Sequence, residues 1–165
     1  MKIGLVGRSG ITALLVFAFL SLSMQLRAQF TPAPAGSAFS IPDAQLLKPE
    51  ALVQLLHTTN KDKPLILQVG SHMLFAQAHI PESEYAGPGS QQAGIEQLQN
   101  RANALPRTKL IVLYCGCCPW NRCPNLGPAF AKLREMGFTN VKALYLANNF
   151  GADWADKGYP VEAGN

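Results

Sequence analysis

The 165-residue chain is 48% hydrophobic and carries 14 Lys and Arg against 10 Asp and Glu, which is enough apolar material for one ordinary domain with a real core. Its basic residues form no patch interleaved with aromatics, which argues against a nucleic-acid partner. All four cysteines fall between positions 115 and 123, and this excludes a disulfide scaffold, which distributes its cysteines to staple distant segments.

Lys2 and Arg8 precede an uncharged apolar run from Ile11 to Met24, followed by Gln25-Leu-Arg-Ala28 and a polar, Pro-rich stretch. This is the three-part layout of a secretory signal peptide over residues 1 to 28, with cleavage expected after Ala28. As an uncleaved anchor, the run is shorter than the roughly 20 residues a spanning helix needs. Cleavage would remove Lys2, Arg8 and Arg27 and no acidic residue, leaving eleven basic side chains against ten acidic ones. The expected product is periplasmic or secreted, with no membrane attachment. Residues 29 to 40, with Pro32, Pro34 and Gly36, lack apolar periodicity and read as a flexible linker.

The folded part is expected to begin near Ile41. Leu46-Leu47 followed by Lys-Pro49-Glu50 predicts a short strand entering a helix, since proline suits the first helical turn and acidic groups favour its positive end. Leu52, Leu55 and Leu56 supply the buried face of that helix. Three apolar runs of strand length follow: Pro64 to Val69, Lys109 to Cys115 and Val141 to Leu146. Helical patterns lie between them at Met73 to Ala78, at Gly94 to Ala104 with Ile95, Leu98 and Ala102 on one face, and at Asn125 to Met136 with Phe130 and Leu133. Short continuous apolar strands alternating with amphipathic helices indicate a parallel sheet covered on both faces. Such sheets place ligands at the carboxyl ends of their strands. Cys115 ends its strand.

The loop Cys115-Gly-Cys-Cys-Pro-Trp-Asn-Arg-Cys123 therefore joins a strand end to a helix N-terminus, where backbone N–H groups stabilise a thiolate or persulfide anion. Asn125 is the expected N-cap, and Arg122 adds a positive charge near sulfur. These are the ingredients of an activated sulfur nucleophile.

Ile111-Val-Leu-Tyr-Cys115, followed by a loop, a helix and Leu133-Arg-Glu-Met-Gly-Phe138-Thr-Asn-Val141, resembles the active-site segment of rhodanese-like domains. His79-Ile80-Pro81 resembles the family's Gly-His-Ile-Pro-Gly signature at the family's distance after the preceding strand, and Trp154 with Gly158-Tyr159-Pro160-Val161 resembles its closing helix and tail. The motifs, in this order and spacing, cover roughly residues 41 to 162 and leave 163 to 165 as a tail. The resemblance implies a three-layer α/β fold with a mainly parallel central sheet and helices on both faces. It also implies sulfurtransfer, in which a cysteine thiolate takes a sulfane sulfur from a small donor anion such as thiosulfate, holds it as a persulfide and passes it to a thiol or other nucleophilic acceptor. Cys115 would be the nucleophile, Arg122 the anion-binding group and the loop amides the cradle. No organic cofactor is implied, and the oligomeric state is not legible.

The departures from the family bear on the site. An Asp and Arg pair expected after the second strand is Gln68 and Gly70 here, a joint loss milder than leaving one buried charge unpaired. A Gly pair expected before the last helix is Asn148-Asn149, and asparagine best substitutes for glycine in a left-handed conformation. Arg122 lies seven positions after Cys115 but five after Cys117, the family's spacing. Cys115 has the strand context, which is the longer match, and Cys117 is the alternative nucleophile.

Other chemistries fit the same thiols. Cys115, Cys117, Cys118 and Cys123 could bind Cu(I) or Zn(II), since soft thiolates select such ions. Cys118 and Cys123, flanked by Pro119 and Pro124, could instead close a structural disulfide in a non-catalytic version of the fold. Cys115-Gly-Cys-Cys118 also reads as a thioredoxin-like C-x-x-C, although Pro119 and Pro124 delay the helix such a motif should open. Phosphatase chemistry fits less well, because the Cys115-to-Arg122 loop is longer than that pattern requires. Trp120 is expected to wall the sulfur pocket, and His79 to serve as a hydrogen-bonding residue between strand and loop.

Overall fold

A computed structural model describes residues 40–58 and 63–164. The expected signal peptide and nearly all of the expected linker lie outside the described residues. Five strands form one sheet: β1 (Leu46–Leu47), β2 (Leu65–Gln68), β3 (Glu84–Tyr85), β4 (Ile111–Tyr114) and β5 (Val141–Leu144). Their order is β1-β5-β4-β2-β3 and every pairing is parallel. The helices are α1 (Pro49–Leu56), α2 (His72–Gln77), α3 (Gln92–Ala102), α4 (Leu126–Glu135) and α5 (Phe150–Asp153). The expected α/β fold with a mainly parallel sheet is present, and among the described residues no helix is long and apolar enough to cross a membrane.

β2 and β4 sit at the centre, in register from Leu65 opposite Ile111 to Gln68 opposite Tyr114. All eight of their residues are buried, as expected of strands whose two faces are both covered. Side-chain alternation divides them between two cores. Leu65, Leu67, Ile111 and Leu113 pack with Leu98 and Ala102 of α3 and Leu126, Phe130 and Leu133 of α4. Ile66, Val112 and Tyr114 pack with Leu52 of α1, Phe150 of α5 and Trp154. Cys115 follows the parity of Leu113 and belongs to the α3/α4 side. That parity, set by the strand, places its sulfur beside the start of α4.

Several details differ from the sequence expectations. β4 stops at Tyr114, so Cys115 is the first residue beyond the strand rather than its last. α3 spans Gln92–Ala102, two residues earlier than expected, because the turn from Pro88 already closes at Gln91 and the chain turns away where the Leu105 amide meets the Ala102 carbonyl. β3 was not anticipated, since two half-buried edge residues carry no periodic signal. Asn149 is extended rather than left-handed, and the only non-glycine described residue at positive φ is Glu82.

The C-terminal segment closes the Trp154 side. Trp154 is fully buried and its Nε1 donates to the Pro160 carbonyl at 2.8 Å. His79 and Glu162 exchange backbone hydrogen bonds of 2.8 and 2.9 Å, while the His79 ring stacks on Phe75 and its Nδ1 pairs with the Phe75 carbonyl. His79 thus ties the end of α2 to the tail.

Candidate active site

Cys115 is 3% exposed, and three segments enclose its sulfur. The first is the turn after β2. A Cβ on Gly70 would meet both the Sγ and the carbonyl oxygen of Cys115 at 2.8 Å, so only glycine lets the backbone come this close. Gln68 braces the same approach: its Nε2 donates to the Cys115 carbonyl at 3.0 Å and its Oε1 accepts the Gly70 amide at 3.1 Å. Where the family places a charged pair, this chain has a neutral amide clamp.

The second segment is the start of α4. Asn125 holds the N-cap position but makes no side-chain cap. Its Oδ1 instead accepts from the Ser90 amide at 3.0 Å and the Ser90 hydroxyl at 2.7 Å. Two donors on the oxygen leave the Nδ2 group as the only amide face for a third partner, and Nδ2 donates to Cys115 Sγ at 3.4 Å. The expected capping role is therefore replaced by one at the sulfur.

The third segment is the loop itself. Gly116 adopts φ +88°, and its carbonyl accepts the Phe150 amide at 2.9 Å, so the chain doubles back immediately after Cys115. Cys117 Sγ comes to 3.3 Å from Cys115 Sγ, and Cys118 Sγ to 3.2 Å from Cys117 Sγ. All four cysteines are free thiols whose sulfurs lie within 4.8 Å of one another. Cys117 is exposed and Cys123 is buried. The α4 helix opens at Leu126, past all four cysteines, which is unlike a C-x-x-C motif that starts its own helix.

These contacts sort the thiols by charge. The Cys123 thiol donating to it lowers the Cys115 pKa most; burial opposes this, and Asn125, the Cys117 thiol and the Cys117 amide assist, bringing it to about 5. Burial, then hydrogen bonding to Cys118 and Cys115, pushes Cys117 up to about 12. Cys123 is raised chiefly by its bond to Cys115 and then by burial, although the Asn125 and Leu126 amides point at its sulfur. Among these three sulfurs the anion is favoured at Cys115, with the Cys117 and Cys123 thiols as its donors. The amide cradle expected around Cys115 is thus reduced to the Cys117 N–H, and the first α4 amides serve Cys123.

Cys115, Gly116 and Cys117 line a pocket of about 340 Å³ together with Gln68, Gln77, Tyr114, Asn149 and Phe150. No Lys, Arg, Asp or Glu is among its described lining residues. Arg122 and Trp120 do not line it. They sit on a 3₁₀ turn, Trp120–Arg122, anchored at the end of β5 by the Trp120 amide, which donates to the Leu146 carbonyl at 2.9 Å. The Trp120 ring lies 6.1 Å from Tyr145 and packs against the core, and Arg122 is exposed. Gln68 and Gly70 were legible only as departures from the family pattern; their contacts with Cys115, Ser90 and the sulfur contact of Asn125 were not.

No protein-family model matches the chain, and no curated protein does. Among solved structures, the crystal structure of the Alr3790 protein from Anabaena sp. is 24% identical with a TM-score of 0.54, covering 72% of this chain and 92% of that one. The solution structure of the rhodanese-like domain of Alr3790 is 23% identical with a TM-score of 0.52, covering 72% and 79%. A structure of an EanB variant carrying a cysteine persulfide, with ergothioneine, is 20% identical with a TM-score of 0.55 over 71% of this chain and 27% of that one. The all-parallel five-stranded sheet, the helices on both its faces and these likenesses agree: this chain has the fold of the rhodanese-like domains.

Proposed function

We propose that this protein is a sulfurtransferase that carries a sulfane sulfur as a persulfide on Cys115. The observation that carries the reading is one buried sulfur at the carboxyl end of the central strand, contacted by the Cys123 and Cys117 thiols and the Asn125 amide, which favour its thiolate, and opening on a pocket. A thiolate is the attacking form of cysteine and also a good leaving group. With thiosulfate as donor, the Cys115 thiolate attacks the outer sulfur, a new S–S bond forms, and sulfite departs with the electron pair of the broken bond. An acceptor thiol then takes the sulfane sulfur. The persulfide-bearing EanB structure belongs to the same fold class and is consistent with this chemistry. We place the activity outside the cytoplasm on the strength of Lys2, Arg8 and the apolar run from Ile11 to Met24.

Intact-mass measurement of the reduced, metal-free protein, with sulfite assayed in parallel, tests the proposal. One equivalent of sulfite per chain on adding thiosulfate is expected. Cys115→Ala should release less than about one thousandth of it, since no second sulfur combines anionic character with the same contacts. Sulfite release that survives in Cys115→Ala and disappears in Cys117→Ala would move the nucleophile to Cys117.

The mutual approach of all four sulfurs supports a second reading, a mononuclear thiolate site. Around a tetrahedral Zn(II), with bonds of about 2.3 Å, sulfurs stand roughly 3.8 Å apart, compatible with a cluster spanning 4.8 Å. Cu(I) suits the same soft donors with fewer ligands. Titration of the reduced protein with Zn(II) or Cu(I) against a competing chelator tests it. Stoichiometric binding that blocks Cys115 alkylation would favour this reading over sulfurtransfer.

A further inference from the structure

The loop holds a second sulfur that takes no covalent part in the transfer reaction. Cys115 is 3% exposed and is shielded by Gly70, Gln68 and Asn125, whereas Cys117 is exposed and lines the same pocket. Gly116, turned back at φ +88° with its carbonyl fixed by the Phe150 amide, folds the two residues together. Their sulfurs stand 3.3 Å apart, within the roughly 3–3.5 Å of a near-attack arrangement. An external acceptor must enter the pocket to reach the persulfide, but Cys117 is already in contact with the sulfur that bears it.

We infer that Cys117 is a resolving thiol that discharges the Cys115 persulfide as hydrosulfide, an inference that rests on the persulfide reading above. Cys117 Sγ attacks Cys115 Sγ and a Cys115–Cys117 disulfide forms. The bond between Cys115 Sγ and the sulfane sulfur breaks, and that sulfur leaves with the bonding pair and the Cys117 thiol proton as hydrosulfide. The sulfane sulfur is reduced by two electrons and the two cysteine sulfurs are oxidised to the disulfide, so no outside oxidant is needed. An external dithiol reductant then restores both thiols for the next turn. With Cys117 in place the protein is a sulfane-sulfur reductase that spends dithiol equivalents, not only a carrier that hands sulfur to an acceptor.

The test is a single turnover of the full, reduced, metal-free chain with one equivalent of thiosulfate under anaerobic conditions, assaying sulfite, sulfide and protein mass together. The expected result for the unsubstituted protein is equal sulfite and sulfide, a mass lower by about 2 Da, and a peptide map joining Cys115 to Cys117. Dithiothreitol should restore the mass and permit a second burst. Cys117→Ser should still release sulfite, which shows a folded and competent Cys115, but should release less than about a tenth of the sulfide and keep a gain of about 32 Da on Cys115. Undiminished sulfide from Cys117→Ser overturns the resolving role. So does a stable gain of about 32 Da on Cys115 without sulfide in the unsubstituted protein, while the sulfite burst leaves the persulfide reading standing; the same gain on Cys117 overturns both the resolving role and Cys115 as the nucleophile. Absence of sulfite from both proteins removes the two together.

Discussion

Two helices start beside the cysteine loop, each at an asparagine, and the two asparagines do different work. At the start of α5, Asn149 Oδ1 accepts the Ala152 amide at 2.9 Å, the ordinary use of asparagine at an N-cap. At the start of α4, Asn125 leaves its own helix uncapped, fixes its oxygen on Ser90 and turns its NH₂ group to Cys115. The difference lies in what is adjacent: α5 begins opposite backbone, while α4 begins where the parity of β4 delivers a buried sulfur. A cap of about 1 kcal/mol is forgone at α4 so that an anion can be held inside the domain.

The largest expected effect comes from the other side of the same sulfur. Gly70→Ala forces a Cβ to 2.8 Å from Cys115 Sγ and from its carbonyl, and should cost about 1–3 kcal/mol of stability by overpacking, read by denaturant titration. Displacement of Cys115 should lower thiosulfate-dependent sulfite release by about tenfold or more, since small errors in position are costly to chemistry.

Asn125→Ala comes next and tests the contrast directly. In the metal-free protein, iodoacetamide labelling of Cys115 should follow a titration near pH 5. The substitution should move it upward, because a donor to the thiolate is lost. Cys115 has a lower pKa folded than its ordinary value of 9.0. Between about pH 5 and 9 the unfolded chain therefore binds more protons at this group, and its contribution to stability rises with pH. That contribution is complete above the unfolded value and is lost as the pH falls through about 5. Cys117 and Cys123 are shifted the opposite way, so their contributions are present below pH 9 and fade as the pH rises through their folded values. A labelling profile in Asn125→Ala identical to that of the unsubstituted protein would break the comparison between the two asparagines.

Asn149→Ala should cost about 1 kcal/mol through the lost cap, seen as a lower Tm, and should leave the Cys115 labelling profile in place. The smallest effect is expected at Arg122. Exposed and outside the pocket lining, it should change KM for thiosulfate by less than about threefold on replacement by alanine, since exposed charges interact weakly through water. A tenfold rise in KM would return Arg122 to the anion-binding role that its spacing suggests.

Much of the fold was legible because its signals are local. Continuous apolar runs such as Leu65-Ile-Leu and Ile111-Val-Leu-Tyr mark strands covered on both faces wherever they sit, and all eight residues of β2 and β4 are buried. Pro49 opens α1 as its residue type predicts. β3 was not legible, since a two-residue edge strand is held by its neighbour rather than by its own pattern. Trp120 was read for its place in the loop, but the backbone bond to Leu146 decides which side it packs on.

The candidate site divides along the same line. One cysteine loop at the end of a central strand was legible as the candidate site without any structure, because cysteine clustering and apolar runs are properties of neighbouring residues. Which sulfur is favoured as the anion depends on tertiary contacts. Protonation among adjacent thiols depends on a few ångströms of approach: Cys123 and Asn125 donate to the Cys115 sulfur from the start of α4, while Gly70 and Gln68 bring the turn after β2 against the same residue, on segments that meet only when β2, β4 and α4 are packed together.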